Sequence, residues 1–160
     1  MRKQTISFEL QVFDAIEQLD SQDQNLIQEA IKARKNAYAP YSRFMVGAAV
    51  LLENGAVILG SNQENASYPS GLCAERVAVF QAGSKYPGVT IKSIAISAMS
   101  KTHLVDTPAA PCGNCRQAIS EYEFRQNEPI TILMMGEKGE IIKCESLSDI
   151  LPLGFNKTFL

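Results

Sequence analysis

Residues 46–61 read VGAAVLLENGAVILGS, two apolar runs joined by Glu53-Asn54-Gly55. An Asn-Gly pair between apolar runs is the strongest local signal of a β-hairpin, because both residues tolerate the backbone angles of a tight turn. The segment therefore predicts two adjacent antiparallel strands.

The chain after this hairpin alternates between helical and strand patterns. Residues 73–83, CAERVAVFQAG, have apolar residues at helical spacing, and Gly83 is typical of a helix C-terminus. The later segments predict a buried strand at 92–99 (KSIAISAM), a short helix at 115–123 (CRQAISEYE), and two strands from 130 to 144 that turn at 137–139.

The chain before the hairpin predicts one firm helix. Ser21 followed by Gln24 indicates a capping box, the apolar residues at 26, 27, 30 and 31 have helical spacing, and Pro40 follows the end of the helix. Residues 5–12, TISFELQV, alternate as a strand does before a helix-like stretch at 13–19. Helices alternating with buried strands predict an α/β fold with a mixed sheet of roughly five strands.

Composition narrows the class of protein. The 160 residues carry 15 Lys and Arg against 17 Asp and Glu, with no dense basic run, so we expect no nucleic acid polymer as a partner. No stretch has the pattern of a signal peptide or of a membrane span, so we expect no membrane partner and a cytoplasmic location. Residues 1–160 are expected to form a single domain, because no linker or repeat interrupts them.

Three of the four cysteines predict a metal site. Cys112 and Cys115 lie three residues apart at the start of a predicted helix, and Cys73 starts another. Helix N-termini favour the thiolate that zinc requires. A lone CxxC pair also occurs in redox sites and in structural zinc sites, but the third cysteine favours a metal.

A fourth protein ligand would make the site structural, whereas three ligands would leave a position for water. The candidates are Cys144, at the end of a predicted strand, and His103, the single histidine. Core packing is the simpler interpretation of Cys144, and a surface position that of His103. Nothing in the pattern links either residue to the other cysteines.

Two charged residues after Cys73 suggest chemistry. Glu75 could be a carboxylate near the metal that moves protons in hydrolysis, or a first-turn residue that complements the helix dipole. Arg76 could donate hydrogen bonds to the thiolates and offset their charge, or it could be an exposed helix residue.

CAER at 73–76 followed by PCGNCRQ at 111–117 resembles the cytidine deaminase family, in its small homotetrameric type with three cysteine ligands. Residues 38–50, 60–76 and 151–155 also resemble family segments, whereas residues 1–20 form an N-terminal extension without a counterpart. The resemblance implies a three-layer α-β-α sandwich and one Zn²⁺ per chain bound by Cys73, Cys112 and Cys115.

The resemblance also implies the reaction and the roles of further residues. The expected activity is hydrolytic deamination of cytidine and deoxycytidine to uridine and deoxyuridine, with release of ammonia, in pyrimidine salvage. Glu75 is implied as the catalytic proton carrier, supported by Arg76 beside the ligands. The substrate-binding residues implied by the family are Phe44 (base), Asn62 and Glu64 (ribose), Ala74, and Phe155, which enters the site of a neighbouring subunit of the homotetramer.

Three other functions fit part of the pattern. Deamination of another aminopyrimidine nucleoside would change the ribose contacts, and Asn62 with Glu64 argues against it. Editing of cytosine in polynucleotides would need a basic groove with exposed aromatic residues. A non-catalytic zinc module would need Cys144 as a ligand and would make Glu75 replaceable.

Overall fold

The computed structural model describes all 160 residues, and its elements alternate as the sequence pattern predicts. Their order is β1 (Gln11–Phe13), α1 (Ser21–Arg34), β2 (Phe44–Leu52), β3 (Val57–Ser61), α2 (Ala74–Lys85), β4 (Ile91–Ser100), α3 (Gly113–Gln126), β5 (Thr131–Met135), β6 (Ile141–Cys144) and α4 (Leu147–Ile150).

The strands form one mixed sheet in the order β1-β6-β5-β4-β2-β3. β2 and β3 are the expected antiparallel hairpin, and Gly55 takes a φ of 83° in its turn. β4 and β5 are parallel because α3 crosses between them, and every other pairing is antiparallel. The mixed α/β sheet is therefore confirmed.

The sheet has a sixth strand at its edge. β1 pairs antiparallel with β6 over only three residues, while residues 1–10 belong to no helix or strand. The strand predicted at 5–12 is therefore present only at its end. An edge strand has a single hydrogen-bonding neighbour, so its local pattern specifies its length weakly.

Helices cover both faces of the sheet. Alternate residues of β2 point to opposite sides: Ala49 and Leu51 pack with α1, whereas Ala48 and Val50 pack in the cluster that contains residues of α2 and α3. This arrangement is the three-layer α-β-α sandwich. No helix is both long and apolar enough to cross a membrane.

Two glycines of the hairpin bring the helices close to the sheet. A Cβ at Gly47 would overlap the backbone of α1 at Ala30 and Arg34, and one at Gly60 would overlap the backbone of α2 at Ala74 and Ala78. Small residues permit this close contact of backbones. The start of α2 is thereby held against β3.

The predicted capping box of α1 is wrong by one residue. Asp20 is the N-cap, and its Oδ1 accepts hydrogen bonds from the backbone N–H groups of Gln22 and Asp23, each at 2.9 Å. Ser21 is the first helical residue instead. Aspartate and serine cap helices about equally well, so the sequence offered two adjacent candidates.

The predicted end of α2 at Gly83 is also wrong, since the helix continues to Lys85. Gly83 contacts Tyr122 of α3, and an added Cβ would lie 2.6 Å from the tyrosine hydroxyl oxygen. The glycine therefore serves the close packing of α2 on α3. Tertiary packing outweighs the low helix propensity of glycine here.

Candidate active site

The starts of α2 and α3 bring three thiols together. Cys73 is the N-cap of α2, Cys112 is the N-cap of α3, and Cys115 lies in the first turn of α3. Their sulfur atoms all lie within 4.8 Å of one another. The Sγ atom of Cys112 is 3.8 Å from that of Cys73 and 3.5 Å from that of Cys115.

This donor set fits zinc. A Zn–S bond of about 2.3 Å in tetrahedral geometry separates two sulfur atoms by about 3.8 Å, close to the two distances above. All four cysteines are free thiols, so no disulfide competes for these sulfurs. Three protein ligands leave one coordination position for water or substrate, which is typical of catalytic zinc.

The local backbone favours thiolates in the cluster. Neither α2 nor α3 has a side-chain cap at its N-terminus, so free N–H groups face the cysteine end of each helix. The neighbouring Cys115 thiol above all, and also the Arg76 guanidinium, lower the pKa of Cys73 to about 5. The interaction with Cys73 and desolvation raise the pKa of Cys115, so Cys73 is the thiol that loses its proton first.

Neither candidate fourth ligand is part of the cluster. Cys144 is fully buried at the end of β6 among apolar side chains. His103 lies in an exposed loop, where its Nδ1 is 3.1 Å from the hydroxyl oxygen of Thr102. The closed four-ligand site of a structural zinc module therefore has no fourth cysteine or histidine.

Glu75 points into the protein. It lies in the first turn of α2, only 4% of it is exposed, and it lines the cleft beside Cys73 and Cys115. Burial raises the pKa of its carboxyl, and the nearby charge of Cys73 raises it further. A residue that only complemented the helix dipole would have no need of this burial, so the position favours a role at the metal site.

Arg76 is half-buried next to the cluster. Its Nη2 lies 3.5 Å from the carbonyl oxygen of Gly71, and its guanidinium group is close enough to Cys73 to lower the pKa of that thiol. Its Nε atom is buried without a hydrogen-bond partner. The guanidinium charge offsets part of the thiolate charge, as expected of a residue that tunes a metal site.

A cleft of about 660 Å³ opens above the thiols. Its wall includes Phe44, Asn62 and Glu64 together with Cys73, Glu75 and Arg76. Arg76 is the single Lys or Arg of the lining. Such a volume lies in the ordinary range of small-molecule sites.

The side-chain amide of Asn62 hydrogen-bonds the backbone at the start of β2. Its Oδ1 accepts a hydrogen bond from the N–H of Val46 at 2.8 Å, and its Nδ2 donates to the carbonyl oxygen of Phe44 at 2.9 Å. The amide retains one N–H and one lone pair for a ligand. Its rotamer is thus set by backbone contacts.

Glu64 is oriented by residues that the sequence pattern did not single out. Its carboxylate accepts hydrogen bonds from the N–H groups of Tyr41 and Ser42, at 2.9 and 3.3 Å, and from the Ser42 hydroxyl. The Ser42 hydroxyl above all lowers the pKa of Glu64. The Ser42 hydroxyl also accepts a hydrogen bond from the N–H of Phe44 at 3.0 Å. A serine two residues before a strand was the sequence signal that could have indicated this local contact.

Ala74 and Phe155 lie outside the cleft wall of their own chain. Ala74 is fully buried at the start of α2, against β3. Phe155 is 56% exposed and stacks on Phe159, with ring centroids 5.6 Å apart. The geometry of one chain therefore leaves the expected roles of both residues as predictions.

Known proteins resemble this chain over most of its length. Residues 20–127 match the model of the cytidine and deoxycytidylate deaminase zinc-binding region. Cytidine deaminase from Halalkalibacterium halodurans is 43% identical over 132 residues, which are 82% of this chain and 92% of that protein. Cytidine deaminase from Mycobacterium tuberculosis is 38% identical over 119 residues, which are 72% of this chain and 85% of that protein.

A solved structure has the same fold. The crystal structure of cytidine deaminase from Burkholderia pseudomallei superposes with a TM-score of 0.71 at 38% identity, covering 82% of this chain and 97% of the other. With three free thiols at zinc-binding distances on two helix starts, the chain belongs to the cytidine and deoxycytidylate deaminase family.

Proposed function

We propose that the protein hydrolyses the exocyclic amine of cytidine and deoxycytidine, yielding uridine or deoxyuridine and ammonia, as a step of pyrimidine salvage. The observation that carries the proposal is the open three-thiol cluster with the buried Glu75 beside it at the cleft. The similarity to curated cytidine deaminases at 43% and 38% identity supports the choice of substrate.

In this proposal Cys73, Cys112 and Cys115 bind one zinc ion per chain, and Glu75 moves the protons. Zinc supplies a Lewis acid that makes water a usable nucleophile near neutral pH. A Glu75 carboxylate oxygen takes the proton of the attacking water, then delivers protons to ring N3 and to the departing amine. The guanidinium of Arg76 donates to the Cys73 sulfur and offsets its charge.

The remaining wall residues bind the nucleoside in this proposal. The Phe44 ring offers an apolar face to the pyrimidine. The free N–H of Asn62 and the carboxylate of Glu64 can donate to and accept from the ribose hydroxyls. Ala74 is not part of the wall, and its proposed substrate contact rests on its place at the start of α2, next to the ligand Cys73.

An ultraviolet assay with cytidine tests the function. The absorbance change of the cytosine ring on conversion to uracil should be fast with the zinc-loaded protein, disappear after chelation, and return when zinc is added back. Failure to convert cytidine or deoxycytidine with one zinc bound per chain would rule out the proposal.

Cytidine should exceed cytidine 5′-monophosphate in kcat/KM by about a hundredfold. The cleft lining contains Glu64 and Glu75 but only one Lys or Arg, and that residue, Arg76, is engaged with Cys73 and Gly71. Arg116 is engaged too, because it donates to the carbonyl oxygens of Pro111 and Ile150. A phosphate dianion would lose its hydration without gaining a cation.

The comparison is made with both substrates at equal zinc loading and ionic strength. Uncharged 5′-O-methylcytidine is the control for size, since it adds bulk to the 5′ position without charge. Similar efficiencies for cytidine and its monophosphate would mean that a phosphate-binding cation reaches the cleft.

We further propose a cytoplasmic homotetramer with shared sites, formed by a single domain of residues 1–160 in which 1–20 are an added extension. Four free thiols favour a reducing compartment. The pairing of β1 with β6 favours one domain, since it ties the extension to the sheet. The exposed Phe155, outside its own cleft, supports its placement in a neighbour's site.

Hybrid oligomers test the shared site. Phe155→Ala is expected to raise the KM for cytidine about tenfold, because an aromatic wall of the cleft is lost. Mixing it, after dissociation and reassembly, with Glu75→Gln should restore the wild-type KM in part of the sites. Those sites combine Glu75 from one chain with Phe155 from the other.

Two results would contradict the shared site. One is a fully active monomer in sedimentation at the assay concentration. The other is a hybrid preparation whose KM stays at the Phe155→Ala value although sedimentation and mass spectrometry show that the two variants have mixed.

A further inference from the structure

The C-terminal segment, residues 146–160, is anchored by Leu147 in the core and makes several further contacts with one helix, α3. α3 contacts it through Arg116, whose Nη1 donates to the carbonyl oxygen of Ile150 at 2.7 Å, and through Gln117, whose Nε2 donates to that of Phe155 at 2.8 Å. Lys157 lies over the ring of Phe124, 5.6 Å from its centroid. The same helix presents Cys112 and Cys115 at its N-terminal end, directly before Arg116 and Gln117.

Among the residues of α3, Glu123 makes the most side-chain hydrogen bonds to the C-terminal segment, and it is only 8% exposed. Its Oε2 accepts from the N–H groups of Ile130 at 2.7 Å and Leu147 at 2.8 Å. Its Oε1 accepts from the hydroxyls of Ser146 and Ser148, each at 2.8 Å, and from the N–H of Ser148 at 3.2 Å. Four of these donors belong to the start of α4.

This arrangement makes α4 dependent on Glu123. α4 has only four residues, so it has no stability of its own and needs its N-terminal N–H groups satisfied. Ser146 caps the N–H of Ser148, while the Glu123 carboxylate satisfies that of Leu147 and binds both serine hydroxyls. A negative charge beside these N–H groups is electrostatically favourable.

We propose that Glu123 is a positioning residue for substrate binding: it fixes α4 on α3 and thereby sets the place of Phe155, five residues after α4 ends. The inference rests on the proposed function, in which Phe155 closes the cleft of a neighbouring chain. Glu123 is eight residues beyond Cys115 along α3 and does not line the cleft, so it would act through the C-terminal segment that it contacts.

Glu123→Gln tests the proposal with little change in size. The amide Nε2 turns one acceptor into a donor that faces other donors, so at least two hydrogen bonds are lost. Amide hydrogen exchange of residues 147–160 should accelerate at least about tenfold, and the KM for cytidine should rise about tenfold with kcat changed less than about threefold. Bound zinc should stay at one per chain.

The matched control is Glu121→Gln, on the same helix, where the glutamate is exposed. It should behave as wild type in both measurements. If Glu123→Gln does not fold, Ser148→Ala removes one hydroxyl donor and keeps the carboxylate, and it should shift both measurements in the same direction by a smaller factor.

A double-mutant cycle with Phe155→Ala separates positioning from general destabilisation. If Glu123 acts through Phe155, Glu123→Gln should raise the KM no further in the Phe155→Ala background. Unchanged hydrogen exchange in residues 147–160 of Glu123→Gln would overturn the proposal, and so would faster exchange with an unchanged KM. A double variant whose rise in KM equals the product of the two single-variant rises would overturn it too. A wild-type protein that fails to convert cytidine would instead refute the proposed function, and exchange alone would then decide whether Glu123 orders the segment.

Discussion

Glu75→Gln should lower kcat for cytidine by about a thousandfold while fold and zinc content stay unchanged, because an amide cannot take up and release the proton. The carboxyl is buried beside Cys73 and Cys115 and faces the cleft, whose lining contains one other carboxylate, Glu64, and no Asp or His. Glu64 is hydrogen-bonded to Tyr41 and Ser42. Glutamine has nearly the same shape, so the loss should appear in kcat and leave substrate affinity largely intact.

Steady-state kinetics and zinc content would be measured on the same preparations. Glu140→Gln, a change of the same kind at an exposed position in the β5–β6 turn, is the control and should retain wild-type kcat. A kcat for Glu75→Gln within about tenfold of wild type would remove Glu75 from the role of proton carrier, since a positioned acid-base group contributes a hundredfold or more.

Cys112→Ser should reduce bound zinc from one per chain to a small fraction and abolish measurable deamination. A serine hydroxyl is a poor substitute for a thiolate ligand, and two remaining cysteines cannot hold zinc against buffer competition. Cys112 is the suitable ligand to change because it is exposed, whereas Cys115 is fully buried. Loss of metal can therefore be separated from loss of core packing.

Cys144→Ser is the matched control, the same change at the one cysteine outside the cluster. It should keep one zinc per chain, although placing a hydroxyl in an apolar core should lower thermal stability. Zinc content by mass spectrometry and melting temperature by calorimetry would be compared. Loss of zinc in Cys144→Ser, or its retention in Cys112→Ser, would contradict the three-thiol assignment.

Much of the fold could be predicted from local patterns. The Asn54-Gly55 turn specified the hairpin. Apolar residues at a spacing of 3.6 located the main helices, and continuous apolar runs located the buried strands. The errors lie at element ends: the cap at Asp20, the continuation of α2 past Gly83, and the short β1. Element ends depend on single contacts, such as that between Gly83 and Tyr122, which leave no periodic signal.

The sequence by itself determined which residues could form the site, because CAER and PCGNC place cysteines at helix starts. The resemblance of these motifs to a known family indicated the reaction. Only the tertiary structure decided that Cys73 meets Cys112, 39 positions away, while Cys144 stays in the core. It also decided that Ser42 orients Glu64 and that Glu123 holds α4. These contacts join segments distant in the chain, so their geometry follows from how helices pack on the sheet and cannot be read from local spacing.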